Sequence, residues 1–196
     1  MYVTKAAKAH LKALDLLPTN NQMLKYCREN LTRLGKGSSR EVFALSDTLV
    51  VKVALGGVGV KQNENEIRVW NLVSYDYIGM KRSFAKVLVN EGHWKDFYIV
   101  MERLETNTVS RSIFNTKTVQ QWRTDRKAMH PTAKRIFKDV QDTDDNAFTN
   151  NIADITPRNM GTSKSGVVKM LDYGFSTPIW NGIAKGKLKN RELLIR

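Results

Sequence analysis

A single cysteine, Cys27, occurs in 196 residues, so no intrachain disulfide forms. That fits a reducing compartment and excludes disulfide-stapled and Cys-rich zinc folds. His10, His93 and His130 stand far apart and show no metal-ligand spacing. No apolar run approaches the ~18 residues needed to cross a bilayer. The first seventeen residues, with Lys5, Lys8, Lys12 and Asp15, lack the apolar core of a secretory signal and read as an amphipathic surface helix rather than a basic transit peptide. A cytoplasmic location, the host's if the chain is viral, is the expectation, with no membrane partner. Acidic residues are also sparse: 19 Asp and Glu against 32 Lys and Arg give a net charge of +13. That balance favours anionic partners. The excess is concentrated between Arg103 and Lys138, where Arg103, Arg111, Lys117, Arg123, Arg126, Lys127, Lys134, Arg135 and Lys138 face only Glu105 and Asp125. A merely solvated face is the alternative to a docking surface there.

Hydrophobic residues at 41% and charged residues at 26% are a globular composition. Val3, Ala7, Leu11 and Leu14 predict a helix over residues 3–17, ended by Pro18, and Asn20 or Asn21 is the expected cap of a second helix holding Met23, Leu24, Cys27 and Leu31. Short β-like runs follow at Thr32–Leu34, Glu41–Leu45 and Thr48–Ala54. Gly56, Gly57 and Gly59 read as a flexible break, and residues 61–74 as a helix with Ile67, Trp70 and Val73 on its apolar face. Two strands, Ala85–Val89 and Phe97–Met101, are expected around a Glu91-Gly92 turn. After Glu105 the pattern is helical to about Val140, with a loop at Asp142–Asp145, a hairpin over Met160–Met170 and a Gly- and Lys-rich tail. The fold class expected is α+β: a helical extension at 1–30, a β-rich region with one key helix at 31–104, and a mainly helical region at 105–196.

Several residues carry chemistry in a fixed order. Leu34-Gly35-Lys36-Gly37-Ser38-Ser39-Arg40-Glu41-Val42 is glycine-rich, and glycine lets a backbone approach phosphate oxygens without a side-chain clash. Lys52 interrupts the apolar run Val50-Val51-Lys52-Val53, where one strand face should be buried. Glu66 lies on the next helix, with Glu64 as its rival. Phe97-Tyr98-Ile99-Val100-Met101-Glu102-Arg103-Leu104 is an apolar strand ending in polar residues. Asp154-Ile155-Thr156-Pro157-Arg158-Asn159 places Asn five residues after Asp, and Leu171-Asp172-Tyr173-Gly174 follows the predicted hairpin.

In this order the segments resemble the protein kinases: glycine loop, strand lysine, helix glutamate, hinge, catalytic loop and Asp-Phe-Gly motif, here with Tyr for Phe. The resemblance covers roughly residues 31–175. It implies that Gly35, Gly37 and Val42 enclose ATP, that Lys52 holds its α/β-phosphates, and that Glu66 orients Lys52. Met101 would be the gatekeeper, and the main chains of Glu102 and Leu104 would meet adenine. Asn159 and Asp172 would bind Mg²⁺, Asp154 would take or orient the acceptor hydroxyl, and Arg158 would steady the γ-phosphate. Further positions depart from the pattern. Arg40 replaces the third glycine, Ile152-Ala153 replaces the His-Arg before the catalytic Asp, and Thr156 stands where Ser/Thr kinases carry a lysine. No Ala-Pro-Glu follows Gly174, so the second lobe is expected to be truncated, as in a compact, bacteriophage-type kinase. The implied function is an ATP- and Mg-dependent kinase acting on Ser/Thr hydroxyls of a protein partner, or on its own chain. The alternatives are a small-molecule kinase and a pseudokinase whose basic surface engages an acidic protein or nucleic acid.

Overall fold

The computed structural model describes residues 3–88, 97–106, 109, 113–115, 117–145, 155–174 and 176–185. The expected Glu91-Gly92 turn, His93, Trp94, Arg111, Asp154 and the tail from Lys187 lie outside them. The architecture is mixed α+β, as the sequence predicts, and it divides into two compact units.

The first unit comprises residues 1–64, 87–103 and 179–196. Two helices open it, α1 (Lys5–Asp15) and α2 (Asn20–Asn30). The cap of α2 is Thr19 rather than Asn20 or Asn21: its hydroxyl accepts from the Gln22 amide. Asn20 turns inward instead and donates to the Ala54 carbonyl. Five strands follow in one antiparallel sheet of order β1-β2-β3-β5-β4: β1 (Thr32–Lys36), β2 (Arg40–Ala44), β3 (Leu49–Ala54), β4 (Val87–Leu88) and β5 (Tyr98–Glu102).

Side chains alternate across a sheet, and the two faces here carry different chemistry. Phe43, Leu49, Val51, Val53, Tyr98 and Val100 form one face and share a core with Ala7, Leu14, Met23, Leu24 and Cys27 of the two helices. The opposite face carries Val42, Lys52 and Ile99, aligned across three strands by the register Val42↔Lys52 and Lys52↔Ile99. Burial pushes the Cys27 thiol up to about 12, with the Glu41 carboxylate adding to the effect, so it is a neutral core side chain as the sequence suggests.

Glu41 points into the helix-covered face and is fully buried. A carboxylate there needs paired donors. Arg28 of α2 supplies them, with Nε 3.1 Å and Nη2 2.6 Å from its oxygens, and the Lys36 ammonium stands 3.6 Å away. This forked pair ties α2 to the strand that leaves the glycine loop.

Helix α3 (Gly57–Tyr75) begins earlier than the sequence predicts, so Gly57 and Gly59 form its first turn rather than a flexible break. The reason is steric. A Cβ on Gly59 would stand 2.3 Å from the Ser39 carbonyl oxygen and 2.9 Å from Ala54. Glycine therefore lets the helix start against the sheet.

The second unit comprises residues 65–86 and 104–178. It holds the remainder of α3, a 3-10 turn at Met80–Ser83, α4 (Thr118–Thr124), α5 (Pro131–Asp145) and the hairpin of β6 (Met160–Thr162) and β7 (Val168–Met170). The expected hairpin is present, with Gly166 at φ 78° in its turn, a conformation that favours glycine. Two expectations fail. Residues 113–115 are not helical, because Asn115 and Thr118 form a side-chain turn that starts α4. The loop expected at Asp142–Asp145 is the last turn of α5, held by Lys138–Asp142 pairing and by Thr143 donating to the Val140 carbonyl. A further helix, α6 (Thr177–Ala184), replaces the first part of the expected tail.

The Arg28–Glu41 pair generates a prediction with a definite pH sign. Hydrogen bonds from Arg28 hold the Glu41 carboxyl below its ordinary range. Its contribution is therefore complete above the unfolded carboxylate range, about 4.3, and is lost as pH falls through the lowered folded value. Glu41→Gln is expected to cost about 1–2 kcal/mol at pH 7, discounted because Arg28 is half exposed. The gap from wild type should narrow below about pH 4. Urea denaturation at the two pH values checks this, and a gap constant with pH would show that the ion pair is not the source.

Candidate functional site

In the first unit the glycine loop is the β1–β2 turn. Lys36, Gly37 and Ser38 are exposed, and the Gly37 amide donates to the Arg40 carbonyl to close the turn. A register irregularity between Arg33 and Gly35 leaves Leu34 unpaired and 44% exposed. Neither loop glycine is demanded by internal packing. A Cβ on Gly35 would meet nothing within 4 Å, and one on Gly37 would only make ordinary contact at 3.7 Å. Neither has a positive φ. Gly59 behaves oppositely, so the loop glycines keep space open that the chain itself does not fill.

Arg40, where the protein-kinase resemblance leads one to expect a third glycine, is buried, and its guanidinium donates to Asn63 on α3. Ser39 beside it donates to Gln62. The departure at Arg40 is thus part of a tie from loop to helix. Lys52 is 4% exposed on the central strand β3, whose six residues are all buried. Val42 is half-buried, Met101 is buried and Glu102 is half-buried at the end of β5. Val42, Lys52 and Met101 share the sheet face turned away from α1 and α2.

In the second unit Glu66 is fully buried on α3, whereas the rival Glu64 pairs with the Lys61 ammonium at 2.6 Å in solvent. The β6–β7 hairpin sets Asn159 opposite Leu171, the residue before Asp172. Met160 pairs with Met170, and the next residues outward continue the contact through the Leu171 amide donating to the Asn159 carbonyl at 2.8 Å. Asn159 is buried, Asp172 half-buried and Arg158 exposed. Leu104 packs against this hairpin. The main chains of Glu105 and Thr162 exchange two hydrogen bonds of 2.9 Å, and a Cβ on Gly161 would lie 2.7 Å from that of Leu104. Glycine is required there by close packing. Asp154 lies outside the described residues.

A polar network missed by the sequence reading braces the hairpin from α5. Arg135 donates to the Val168 carbonyl at 2.8 Å and to the Ser83 hydroxyl, which in turn donates to Asp139. Burial pushes the Asp139 carboxyl up, against the pull of Ser83 and Arg135. The only sequence signal was an Arg and an Asp four apart on α5. Trp122 packs on Phe137 with ring centroids 5.6 Å apart and carries Arg126 4.0 Å over its own ring.

Among the described residues no group of three or more His, Cys, Asp and Glu could hold a metal ion. An amide and a carboxylate oxygen, as on Asn159 and Asp172, nevertheless suit Mg²⁺, which is bound by few protein oxygens together with phosphate and water.

No family model matches the chain, and no curated protein does. Among solved structures, WbdD with the kinase inhibitor LY294002 is similar at 16% identity and a TM-score of 0.41, over 71% of this chain and 31% of that one. The bifunctional kinase-methyltransferase WbdD is similar at 16% identity and a TM-score of 0.37, over 76% and 33%. The chain thus spans about a third of the length of those proteins. At such scores the likeness carries no argument about chemistry, which rests on the residues above.

The brace leads to a test. Arg135→Met should destabilise the fold by about 1–3 kcal/mol, because the Val168 carbonyl and Ser83 lose a charged donor. Arg135→Lys should recover little, since an ammonium cannot reproduce a fork reaching two acceptors. Urea denaturation of both variants measures it; full recovery by lysine would show that charge alone matters.

Proposed function

We propose that the chain is an ATP- and Mg-dependent phosphotransferase of kinase type, acting on a Ser/Thr hydroxyl of a protein. The observation that carries this reading is the contrast among glycines. Gly35 and Gly37 have no internal steric reason to be glycine, and they lie at the β1–β2 turn, whose strand β2 pairs with Lys52 on β3. Burial of Lys52 on the sheet face without the helical core, and the hairpin that sets Asn159 opposite Leu171, the residue before Asp172, support it further.

Each residue's task follows from the charge it offers. Gly35 and Gly37 admit phosphate oxygens to the backbone. Lys52 neutralises the α/β-phosphates, and Glu66 orients it. Val42 and Met101 bound the adenine, with main-chain groups of Glu102 and Leu104 as its hydrogen-bond partners. Asn159 and Asp172 offer oxygens to Mg²⁺, which neutralises phosphate charge when bound. Asp154 accepts the proton of the acceptor hydroxyl, and Arg158 balances charge on the γ-phosphate.

Incubation with γ-labelled ATP, Mg²⁺ and a protein substrate mixture tests this reading. Labelled Ser or Thr should appear, on the substrate or on the chain itself. Asp154→Asn should cut transfer by at least about 100-fold while ATP with Mg²⁺ still raises the melting temperature. Asp172→Ala should lose the Mg²⁺-dependent part of that rise. Full activity in Asp154→Asn would mean a different base, and no thermal shift at millimolar nucleotide would remove the nucleotide-binding reading.

A second reading has its own observation. Arg123, Arg126, Lys127, Lys134 and Lys138 are exposed on α4, α5 and their connection. Among the described residues, Lys138 alone of these pairs with an acidic side chain, Asp142. Such a surface suits an acidic protein or nucleic acid, with or without catalysis. Reversing Arg123, Arg126 and Lys127 to Glu should weaken binding to a single-stranded RNA probe and flatten its salt dependence. Unchanged binding and slope would leave a solvated face.

A further inference from the structure

The three residues at the Asp-Tyr-Gly turn are tied to the second unit from several directions. On one side, the Leu171 amide donates to the Asn159 carbonyl and the Ala85 amide to the Met170 carbonyl, both at 2.8 Å. On the other, the Tyr173 hydroxyl donates to the Ala85 carbonyl at 2.8 Å. Its ring is fully buried and meets Phe84 edge-on, centroids 5.1 Å apart. The Asn65 side-chain amide reaches the Gly174 carbonyl at 3.3 Å and the Tyr173 carbonyl at 3.5 Å. Its own oxygen accepts from Arg68 at 2.9 Å, which fixes the amide so that its NH₂ faces the turn. Asp172 lies between these anchored neighbours and is half-buried.

We propose that Asn65 and Tyr173 are positioning residues that hold the Asp172 main chain preformed, before nucleotide or metal arrives. A phenol in place of phenylalanine makes the difference. Displacing the ring would strand a buried hydroxyl and the Ala85 carbonyl together, and leaving buried polar groups unpaired is costly. Asn65 adds a second lock on the carbonyls that follow Asp172. The Asp172 carboxylate is therefore presented without a disorder-to-order step, and metal capture does not pay for rearranging the turn. The role as a metal ligand rests on the phosphotransfer reading; the clamp itself does not.

Amide hydrogen exchange of the peptide spanning Asp172–Gly174, measured by mass spectrometry on the nucleotide-free chain, tests the clamp. Wild type, Tyr173→Phe and Asn65→Ala are compared, the first variant keeping the ring and the second sparing it. Exchange at the turn should quicken by about 5- to 10-fold in each variant, the equivalent of one lost buried hydrogen bond. Amides of β2 and β3 should not change, which separates local release from global destabilisation. The Mg²⁺ concentration for half-maximal ATP binding should rise several-fold, with Mg-free ATP affinity unaltered. Unchanged exchange in both variants overturns the clamp. Faster exchange with an unmoved Mg²⁺ requirement overturns the positioning role. If wild type shows no Mg²⁺-dependent ATP binding, the phosphotransfer reading fails, and the exchange comparison still decides the clamp.

Discussion

Burying an ammonium group costs several kcal/mol even after the surroundings relax, and Lys52 sits 4% exposed in the middle of a strand with no exposed residue. Much of the first unit is arranged around that constraint. The helices α1 and α2 take up the other face of the sheet, so the apolar core forms without the lysine. The strands on both sides of β3 give Lys52 the cross-strand neighbours Val42 and Ile99, which places it in a row of side chains rather than at an edge. In the proposed function this buried central lysine also serves the phosphates of a bound nucleotide.

Two charged groups buried in the same unit are handled differently. Glu41 belongs to the helix-covered face and is satisfied by Arg28, so its function is to fasten α2 to β2. Arg40 next to it points to the other face and is spent on Asn63. Both ties hold the base of the glycine loop while leaving Gly35 and Gly37 without internal contacts that require them. In the second unit the division is similar. Arg135, Ser83 and Asp139 brace β7 from behind, and Asn65 with Tyr173 holds the turn beyond it. Asn159 and Asp172, the proposed metal ligands, are left at the hairpin's open end.

What the sequence made legible were features with a short-range physical signature. Lys52 inside an apolar run signalled both its strand and its burial, and the spacing between Asn159 and Asp172 signalled the hairpin over Met160–Met170. The choice of Glu66 over Glu64 rested on the apolar residues following it, and burial separates the two in the same sense. Illegible features depended on partners distant in sequence. Gly57 and Gly59 looked like a break because their steric cause, the Ser39 carbonyl, lies in another strand connection. Asp142–Asp145 looked like a loop because an acidic helix end is unfavourable against the helix dipole until Lys138 offsets it. The Asn65 clamp spans more than a hundred residues and leaves no periodic trace.

The central claim is the proposed one, that the chain takes up a metal–nucleotide complex at the residues named for it. Paramagnetic broadening by Mn²⁺·ATP in the ¹H–¹⁵N spectrum of the full chain measures where such a complex sits. The account predicts that amide signals of Asn159, Asp172, Gly35 and Gly37 broaden first, and that diamagnetic Mg²⁺·ATP only shifts them. Broadening confined to the basic helices α4 and α5, with those four signals unaffected, would contradict it.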